Sequence, residues 1–485
     1  MLTPQDRPKA TDEQVAILDA VRKKEGNLLI NALAGSGKTN TIERIVEELP
    51  PNEQPLYVAF NKAIVEEAQE KLPTYVEIRT LNSIGHRAWA QSLGTTKVYI
   101  DTKNPKMPGI VKEIINGFKS KDDREEAWEN YYDVIQAINM SKHLGYIPDR
   151  TLKCDRRLCE RDAVAARIDS QLSEFSWEII DNALRTSIKV AYGGLIDFDD
   201  QVYMSALFGG TFQRYSRVLV DEDQDLSPVN FEMLKRVVED WVAGVGDRWQ
   251  SIYAFRGAET NGVDKLKSIF NMQEMPLSVS FRCPENVVKA VHWHVPHMKW
   301  FKTGGDFRVL PSLDSSHIQD GSAIVCRNNA PLFSAAFALL SNKRSVSVAG
   351  SDIGPKVIKL LQKIGRDDDD SETLIAKIDE WREEKLRTAN NIASINDTAE
   401  CLKIFATWGK NLWQAIQYAN HILKQQGSIL LTTGHKSKGR EWDTVYHLDP
   451  FLCRDDDQDR NLKYVITTRA KQTLYEIDGA NIQWL

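Results

Sequence analysis

The sequence is poor in the features that mark whole classes of protein. Among 485 residues no apolar run approaches the ~18 that a membrane-spanning helix needs. The opening MLTPQDRPKATDEQ lacks the basic-then-apolar layout of a secretion signal. Cysteine is scarce: six residues, at 154, 159, 283, 326, 401 and 453, are too scattered for a disulfide framework and fit a reducing compartment. Basic residues are not in excess, since 62 Lys and Arg face 68 Asp and Glu, for a net charge of −6. No global positive field therefore draws polyanions, and any nucleic-acid binding must rest on local contacts. Metal-ligand clusters are also missing. Cys154 and Cys159 form a lone pair where zinc usually takes four ligands, and His292, His294 and His297 have no Cys or carboxylate grouped with them. The acidic runs at 367–370 and 455–459 read as solvated loops or helix starts. These absences set the expectation of a cytoplasmic chain, in host cytoplasm or nucleoid if phage-encoded, with no membrane contact.

What is present is an ordinary globular composition, 42% hydrophobic and 27% charged, on a chain too long for one core. Three apolar runs end in chemistry. NLLINALAGSGKTNTIERIVEEL reads as strand, glycine-rich turn and helix; RVLVDEDQDLSP as a buried strand ending in acids; SILLTTGHKSKGREWDTVYHL as strand, polar loop and strand. Their alternation with helical segments predicts an α/β fold with parallel sheets, whose functional loops sit at the strands' carboxyl ends. Two helix-rich stretches interrupt this pattern. One α/β region is expected over 1–88 and 186–275 around a helical insertion at 89–185, and another over 276–365 and 422–485 around a shorter insertion at 366–421.

Ala34-Gly35-Ser36-Gly37-Lys38-Thr39 fits a P-loop, with Ala32 where the first glycine is usual. Small residues let backbone N–H groups curl round phosphate oxygens at a helix N-terminus. Lys38 would reach the β- and γ-phosphates of ATP, and the Thr39 hydroxyl would bind Mg²⁺. The second acid for the metal is supplied by VLVDEDQD: Asp221 would hold Mg²⁺, and Glu222 could polarise an attacking water. A further segment, VGDRWQSIYAFRGA, combines an acid, a Gln, three aromatics and two Arg. A packed strand needs neither Gln nor Arg, and a solvent loop needs neither Tyr nor Phe.

In order along the chain, TDEQ, ALAGSGKT, YVAFNKAIVEEA, TLNSIGHRAW, LIDFDDQV, VLVDEDQD, VGDRWQSIYAFRGA, LSVSFRCPENV, CRNNAPL, TTGHKSKGREWDTV and YVITTRA resemble the motifs of superfamily 1 DNA helicases of the UvrD/Rep/PcrA type, including compact phage-type and F-box DNA helicase relatives. The resemblance implies two RecA-like domains, 1A and 2A, with helical insertions 1B and 2B. It implies that Gln14 reads the adenine, Phe281 stacks on it and Glu441 contacts the ribose. Gln250 would sense the γ-phosphate, and Arg282 and Arg469 would approach it as arginine fingers. Phe60, Tyr253 and Phe255 would stack on bases of a single strand, with Arg256 beside it, and Asn61, Thr80, Asn82 and His435 would lie near that strand. The chain departs from the family in having Phe255 where Trp is commonest, Asn82 where His is frequent, Arg440 for a usual Leu, and a reduced 2B insertion.

The expected function is ATP- and Mg²⁺-dependent 3′ to 5′ movement on single-stranded DNA with duplex unwinding, in replication, repair or recombination. Three readings stand beside it: a translocase that strips bound proteins with little unwinding, an RNA-directed motor, and an ATP-inactive DNA-binding scaffold. Expected partners are single strands and single/double-strand junctions, with a single-strand-binding protein or replication or recombination proteins, and the expected state is a monomer. Lys153, Arg157 and Arg161, four apart, would form one basic helix face, either solvated or duplex-contacting. Trp293 and Trp300 read as packing residues.

Overall fold

The computed structural model describes residues 9–94, 97–149, 156–259, 261–311, 317–349 and 353–477. Short aliphatic runs form the central strands, buried on both faces as parallel sheets require, while the edge strands are more polar and more exposed. The first six are β1 (Leu28–Ala32), β2 (Leu56–Ala59), β3 (Glu77–Thr80), β4 (Tyr215–Asp221), β5 (Val238–Gly246) and β6 (Gln273–Leu277). They form one sheet in the order β3-β2-β4-β5-β1-β6, and every pairing is parallel. A small parallel pair follows, β7 (Val279–Ser280) with β8 (Lys299–Trp300). The remaining strands are β9 (Asp306–Leu310), β10 (Ala323–Cys326), β11 (Val346–Val348), β12 (Ile429–Thr433), β13 (Trp442–Leu448) and β14 (Ala470–Ile477). Their order is β11-β12-β10-β13-β14-β9, again all parallel. The α/β expectation of two RecA-like parallel-sheet domains therefore holds.

The chain divides into two units, residues 1–32 with 37–277 and residues 33–36 with 278–485. In the first, helices Lys106–Gly117, Lys121–Glu129, Tyr131–Leu144 and Glu174–Tyr192 bury Val111, Ile115, Ala127, Val134, Ile138, Ile180 and Leu184 in a core of their own. Charge ties these helices to the start of helix Asp200–Leu207 and to Asp197 just before it. Lys106 Nζ lies 2.5 Å from Asp200 Oδ2, Lys142 Nζ lies 2.8 Å from Asp200 Oδ1, and Lys142 also pairs with Asp197. Both lysines and Asp200 are buried, so removing one partner would strand an uncompensated charge.

In the second unit, helices Ser371–Leu386, Ile392–Trp408 and Leu412–Leu423 share the sheet's core: Leu374, Leu402 and Phe405 lie in one cluster with Ile324, Cys326 and Leu431. The polar loop expected between β12 and β13 contains a short helical turn, Gly434–Ser437.

The basic helix face expected from Lys153, Arg157 and Arg161 is not formed. Arg157 precedes the five-residue helix Arg161–Ala165 and pairs with Asp149 and Glu160, while Arg161 forks onto Glu174 at 2.7 and 2.8 Å and lies over the Trp177 ring. Nearby acids and rings satisfy each arginine separately; Lys153 and Cys154 lie outside the described residues. Trp300 is half-buried, but Trp293 is half-exposed, stacked with His294 and covered by Lys463. His292 Nε2 is 2.9 Å from the Met298 carbonyl, and His294 Nε2 is 2.9 Å from Asn461 Oδ1. Among the described residues no group of three His, Cys, Asp or Glu is placed to hold a metal ion, and no helix is long and apolar enough to cross a membrane.

His447, on β13, is fully buried, and neither ring nitrogen has a hydrogen-bond partner. Burial, helped by Lys463, lowers its pKa from 6.5 to about 3. The unfolded chain therefore takes up a proton that the folded chain refuses. The resulting stability is complete above the unfolded pKa and is lost as pH falls towards the folded one, by up to about 2 kcal/mol at pH 5. Thermal melts of wild type and His447→Gln between pH 7 and pH 5 should show a shallower acid-side decline in the variant, whereas parallel declines would contradict this account.

Candidate functional site

In a parallel sheet all carboxyl ends lie on one edge, and here that edge carries the chemistry in strand order. β3 ends at Thr80, β2 runs into Phe60 and Asn61, β4 ends at Asp221, β5 leads into Asp247–Gln250, and β1 leads into the glycine-rich loop. Adjacent strands are about 4.8 Å apart, so β1 and β4, with β5 between them, are separated by roughly 10 Å. Lys38, first residue of helix Lys38–Glu48, spans that gap: its Nζ is 3.0 Å from Asp221 Oδ1 and pairs with Glu222 Oε1. Burial opposes the ammonium charge, but the carboxylates of Asp221 and Glu222 outweigh it and hold Lys38 well above the ordinary lysine range. Tyr57 donates to Asp221 Oδ2 at 2.5 Å.

The loop itself suits an anion. Gly35 and Gly37 take φ of 72° and 82°, in the left-handed region that favours glycine. Gly37, the N-cap of helix Lys38–Glu48, offers no side-chain hydrogen bond, and Thr39 is exposed in the first turn. Ala34 and Ser36 are buried, and Ser36 Oγ lacks a hydrogen-bond partner. An orphaned hydroxyl beside uncapped N–H groups is a donor set fit for phosphate, and Thr39 and Asp221 offer the hard oxygens that Mg²⁺ takes. Gln14 lies in the first turn of helix Asp12–Lys23. It closes a capping box, accepting from the Thr11 N–H at 3.0 Å, while its amide donates to Thr41 Oγ1 at 2.9 Å.

Beyond Asp221 the chain turns sharply. Glu222 has φ 53°, a strained backbone for a non-glycine residue. Gln224 is fully buried; its amide donates to Glu222 Oε2 at 2.5 Å and its carbonyl accepts from the Asp247 N–H at 3.0 Å. Asp247 in turn accepts from Gln250 Nε2 at 2.7 Å. Burial pushes the Asp223 carboxyl well above the usual carboxylate range; Lys38 opposes this, and the neighbouring acids Glu222, Asp221 and Asp225 reinforce it.

A groove of about 950 Å³ opens on the same edge, still within the first unit. Phe60 and Tyr253 line it with ring planes 5° apart, Tyr253 and Phe255 meet edge to face, and the Arg256 guanidinium lies over both of the latter rings. Phe60 is 41% exposed and Phe255 51%. Asn61 and Thr80 cap two helices, accepting from Ile64 N–H at 3.0 Å and Ser83 N–H at 3.2 Å, so both helix starts border the groove. Asn82 donates to the Phe198 carbonyl at 2.9 Å. The inserted helix Tyr131–Leu144 forms another wall, where His143 backs Gly257: a Cβ added there would lie 2.5 Å from His143 Cβ.

In the second unit Arg282 Nε lies 2.5 Å from Glu441 Oε2, and Phe281 packs on Phe301. Arg469 is buried, donating to the carbonyls of Val465 at 2.9 Å and Arg440 at 3.3 Å. Cys283 Sγ, 3.5 Å from the Thr468 carbonyl, brings the two arginine-bearing segments side by side. His435 is half-buried in the turn after β12.

Residues 13–271, more than half of the chain, match the family model of the UvrD/REP helicase N-terminal domain. The chain belongs to the UvrD/REP helicase family. Residues 428–475 match the UvrD-like helicase C-terminal domain. Similar relatives include F-box DNA helicase protein 1 of Schizosaccharomyces pombe, 23% identical over 97% of this chain and 58% of the relative. F-box DNA helicase 1 of Gallus gallus is 24% identical over 96% of this chain and 49% of its own length, and ATP-dependent DNA helicase PcrA of Leuconostoc citreum is 24% identical over 58% and 38%. The chain thus spans about half the length of the curated F-box relatives it matches.

For this UvrD/REP family chain, sequence reasoning missed Tyr57, Phe198, Gln224 and Asp247. Phe198, 63% exposed in the groove, sits in the quoted LIDFDDQV, where an aromatic between acids was the available signal. Gly246, ending β5, leaves room for the chain beyond β4: a Cβ there would lie 2.1 Å from Asp223 Oδ1 and 2.2 Å from Gln224 Oε1. Gly246→Ala should therefore cost about 1–3 kcal/mol by overpacking, read as a lowered melting temperature; an unchanged melt would contradict the tight packing of this site.

Proposed function

We propose that the chain is an ATP-dependent DNA helicase that moves 3′ to 5′ along single-stranded DNA and opens duplex ahead of it. The observation that carries this reading is that the Lys38–Asp221–Glu222 cluster and the aromatic groove hang from one sheet edge, joined by the segment Asp247–Arg256. The printed names of the relatives, F-box DNA helicase and ATP-dependent DNA helicase, support the same activity, and the motif resemblance supports the direction.

In this reading the glycine-rich loop binds the phosphates, Lys38 moves from the carboxylates to the γ-phosphate, and Glu222 accepts a proton from the attacking water. Mg²⁺, held by Thr39 and Asp221, would neutralise charge on the phosphate oxygens. Gln250 senses the γ-phosphate, and Arg282 and Arg469 supply its positive partners from the second RecA-like domain, Arg282 leaving Glu441 to do so. Phe281 stacks on the adenine, and Gln14 reads its edge. Phe60, Tyr253 and Phe255 stack on bases whatever their identity, at about 1 to 3 kcal/mol each. Arg256, Asn82 and the helix starts at Asn61 and Thr80 meet the backbone, as does His435.

The direct test offers 3′-tailed, 5′-tailed and blunt duplexes with ATP. Unwinding of the 3′-tailed substrate alone is expected; preference for the 5′ tail would reverse the direction, and ATP-driven movement without unwinding would leave a translocase. Lys38→Ala should abolish turnover. Glu222→Gln should keep nucleotide binding while turnover falls by at least ~10²-fold, and unaltered turnover in either would contradict the assigned roles. Phe255→Ala should spare basal ATP hydrolysis and lose unwinding, a separation that equal loss of both would refute.

A further inference from the structure

Gln224 is neutral, fully buried and set between the ends of β4 and β5, and none of the roles assigned above uses it. Its two amide ends face opposite chemistry. Nε2 points at Glu222 Oε2, 2.5 Å away, and Oε1 receives the Asp247 N–H at 3.0 Å. A flipped amide would set its oxygen against a carboxylate and its NH₂ against an N–H, so the orientation follows from the partners. The Gln224 backbone carbonyl also accepts from Ser251 Oγ at 3.3 Å, which fastens the following loop to the same residue. Gly246 leaves the space that the amide fills.

We propose that Gln224 is a positioning residue for hydrolysis: it holds the Glu222 carboxylate in place once Lys38 has turned to phosphate, and it ties that carboxylate to Asp247 and Gln250. This inference rests on the ATP-hydrolysis reading of the site. In that reaction the water oxygen bonds to the γ-phosphorus, the bond to the bridging oxygen breaks with its electron pair leaving on ADP, and Glu222 takes the water's proton. Lys38 holds Glu222 at Oε1 and Gln224 holds it at Oε2. When a phosphate draws Lys38 away, Gln224 remains, and it restrains a residue whose backbone is already strained at φ 53°. The chain of hydrogen bonds Glu222–Gln224–Asp247–Gln250 then links the proton acceptor to the γ-phosphate sensor and, through the next residues, to Tyr253 and Phe255 in the groove.

The test measures steady-state ATP turnover with saturating oligo(dT), binding of a fluorescent ATP analogue, and melting temperature in wild type, Gln224→Met and Gln224→Glu. Gln224→Met, similar in size but without the amide, should lower kcat by roughly 10- to 100-fold, as loss of an orienting partner does, with analogue affinity within about threefold. Gln224→Glu keeps the shape. Ionised, its carboxylate repels Glu222; protonated, it restores a donor, so turnover relative to wild type should recover as pH is lowered from alkaline to mildly acidic. A structural role alone gives no such recovery, and this second variant carries the test if Gln224→Met does not fold. Unchanged kcat in Gln224→Met, equal loss of analogue binding and turnover, or a Gln224→Glu pH profile parallel to wild type would overturn the proposal. Absence of ATP turnover in wild type itself would instead remove the hydrolysis reading on which it rests.

Discussion

One half-buried ammonium facing two carboxylates organises the first unit. Lys38 comes from the helix after β1, and Asp221 and Glu222 from the end of β4, so their pairing clamps two strands that are not neighbours. A parallel sheet makes this possible because it delivers every strand's carboxyl end to the same edge. In the proposed mechanism this pairing is exchangeable: the carboxylates hold the charge until a phosphate offers Lys38 an anion at the start of its own helix, which has no side-chain cap.

The strand order then decides what else that clamp can touch. β3 and β2 carry the groove residues Thr80, Asn61 and Phe60, β1 carries the glycine-rich loop, and β4 and β5 lie between them. The segments that follow β4 and β5 therefore lie between the two sides. Glu222 and Gln224 follow β4; Asp247, Gln250, Tyr253, Phe255 and Arg256 follow β5. The mixed character of VGDRWQSIYAFRGA has its physical reason here, since its polar half hydrogen-bonds towards the carboxylates and its aromatic half lines the groove. The segment between β3 and β4 packs on this arrangement from outside, through His143 against Gly257 and the Arg167 guanidinium on the Ala258 carbonyl at 3.2 Å.

Local patterns were legible in the sequence, and distant pairings were not. The glycine-rich loop, the acids after an aliphatic run and the two parallel-sheet regions could be read because each depends on a few adjacent residues. Tyr57 could not, because its bond to Asp221 crosses 164 positions and depends on the β2–β4 register. Gln224 stood in a quoted motif, but its role depends on where β5 ends. The basic face failed for a different reason: spacing by four has meaning only inside a helix, and Arg157 lies before one. Thr11-Asp-Glu-Gln14 carried a capping-box signature beside its family meaning, and the structure uses the cap.

In the proposed helicase, nucleotide and single strand are coupled through the first unit's β4 and β5 ends. Coupling between two ligands must appear in the affinity of either. The direct measurement is the dissociation constant of a labelled oligo(dT) with and without a saturating non-hydrolysable ATP analogue. The account predicts a change of roughly 5-fold or more, the usual size of such couplings. Identical strand affinity in the two conditions would contradict it.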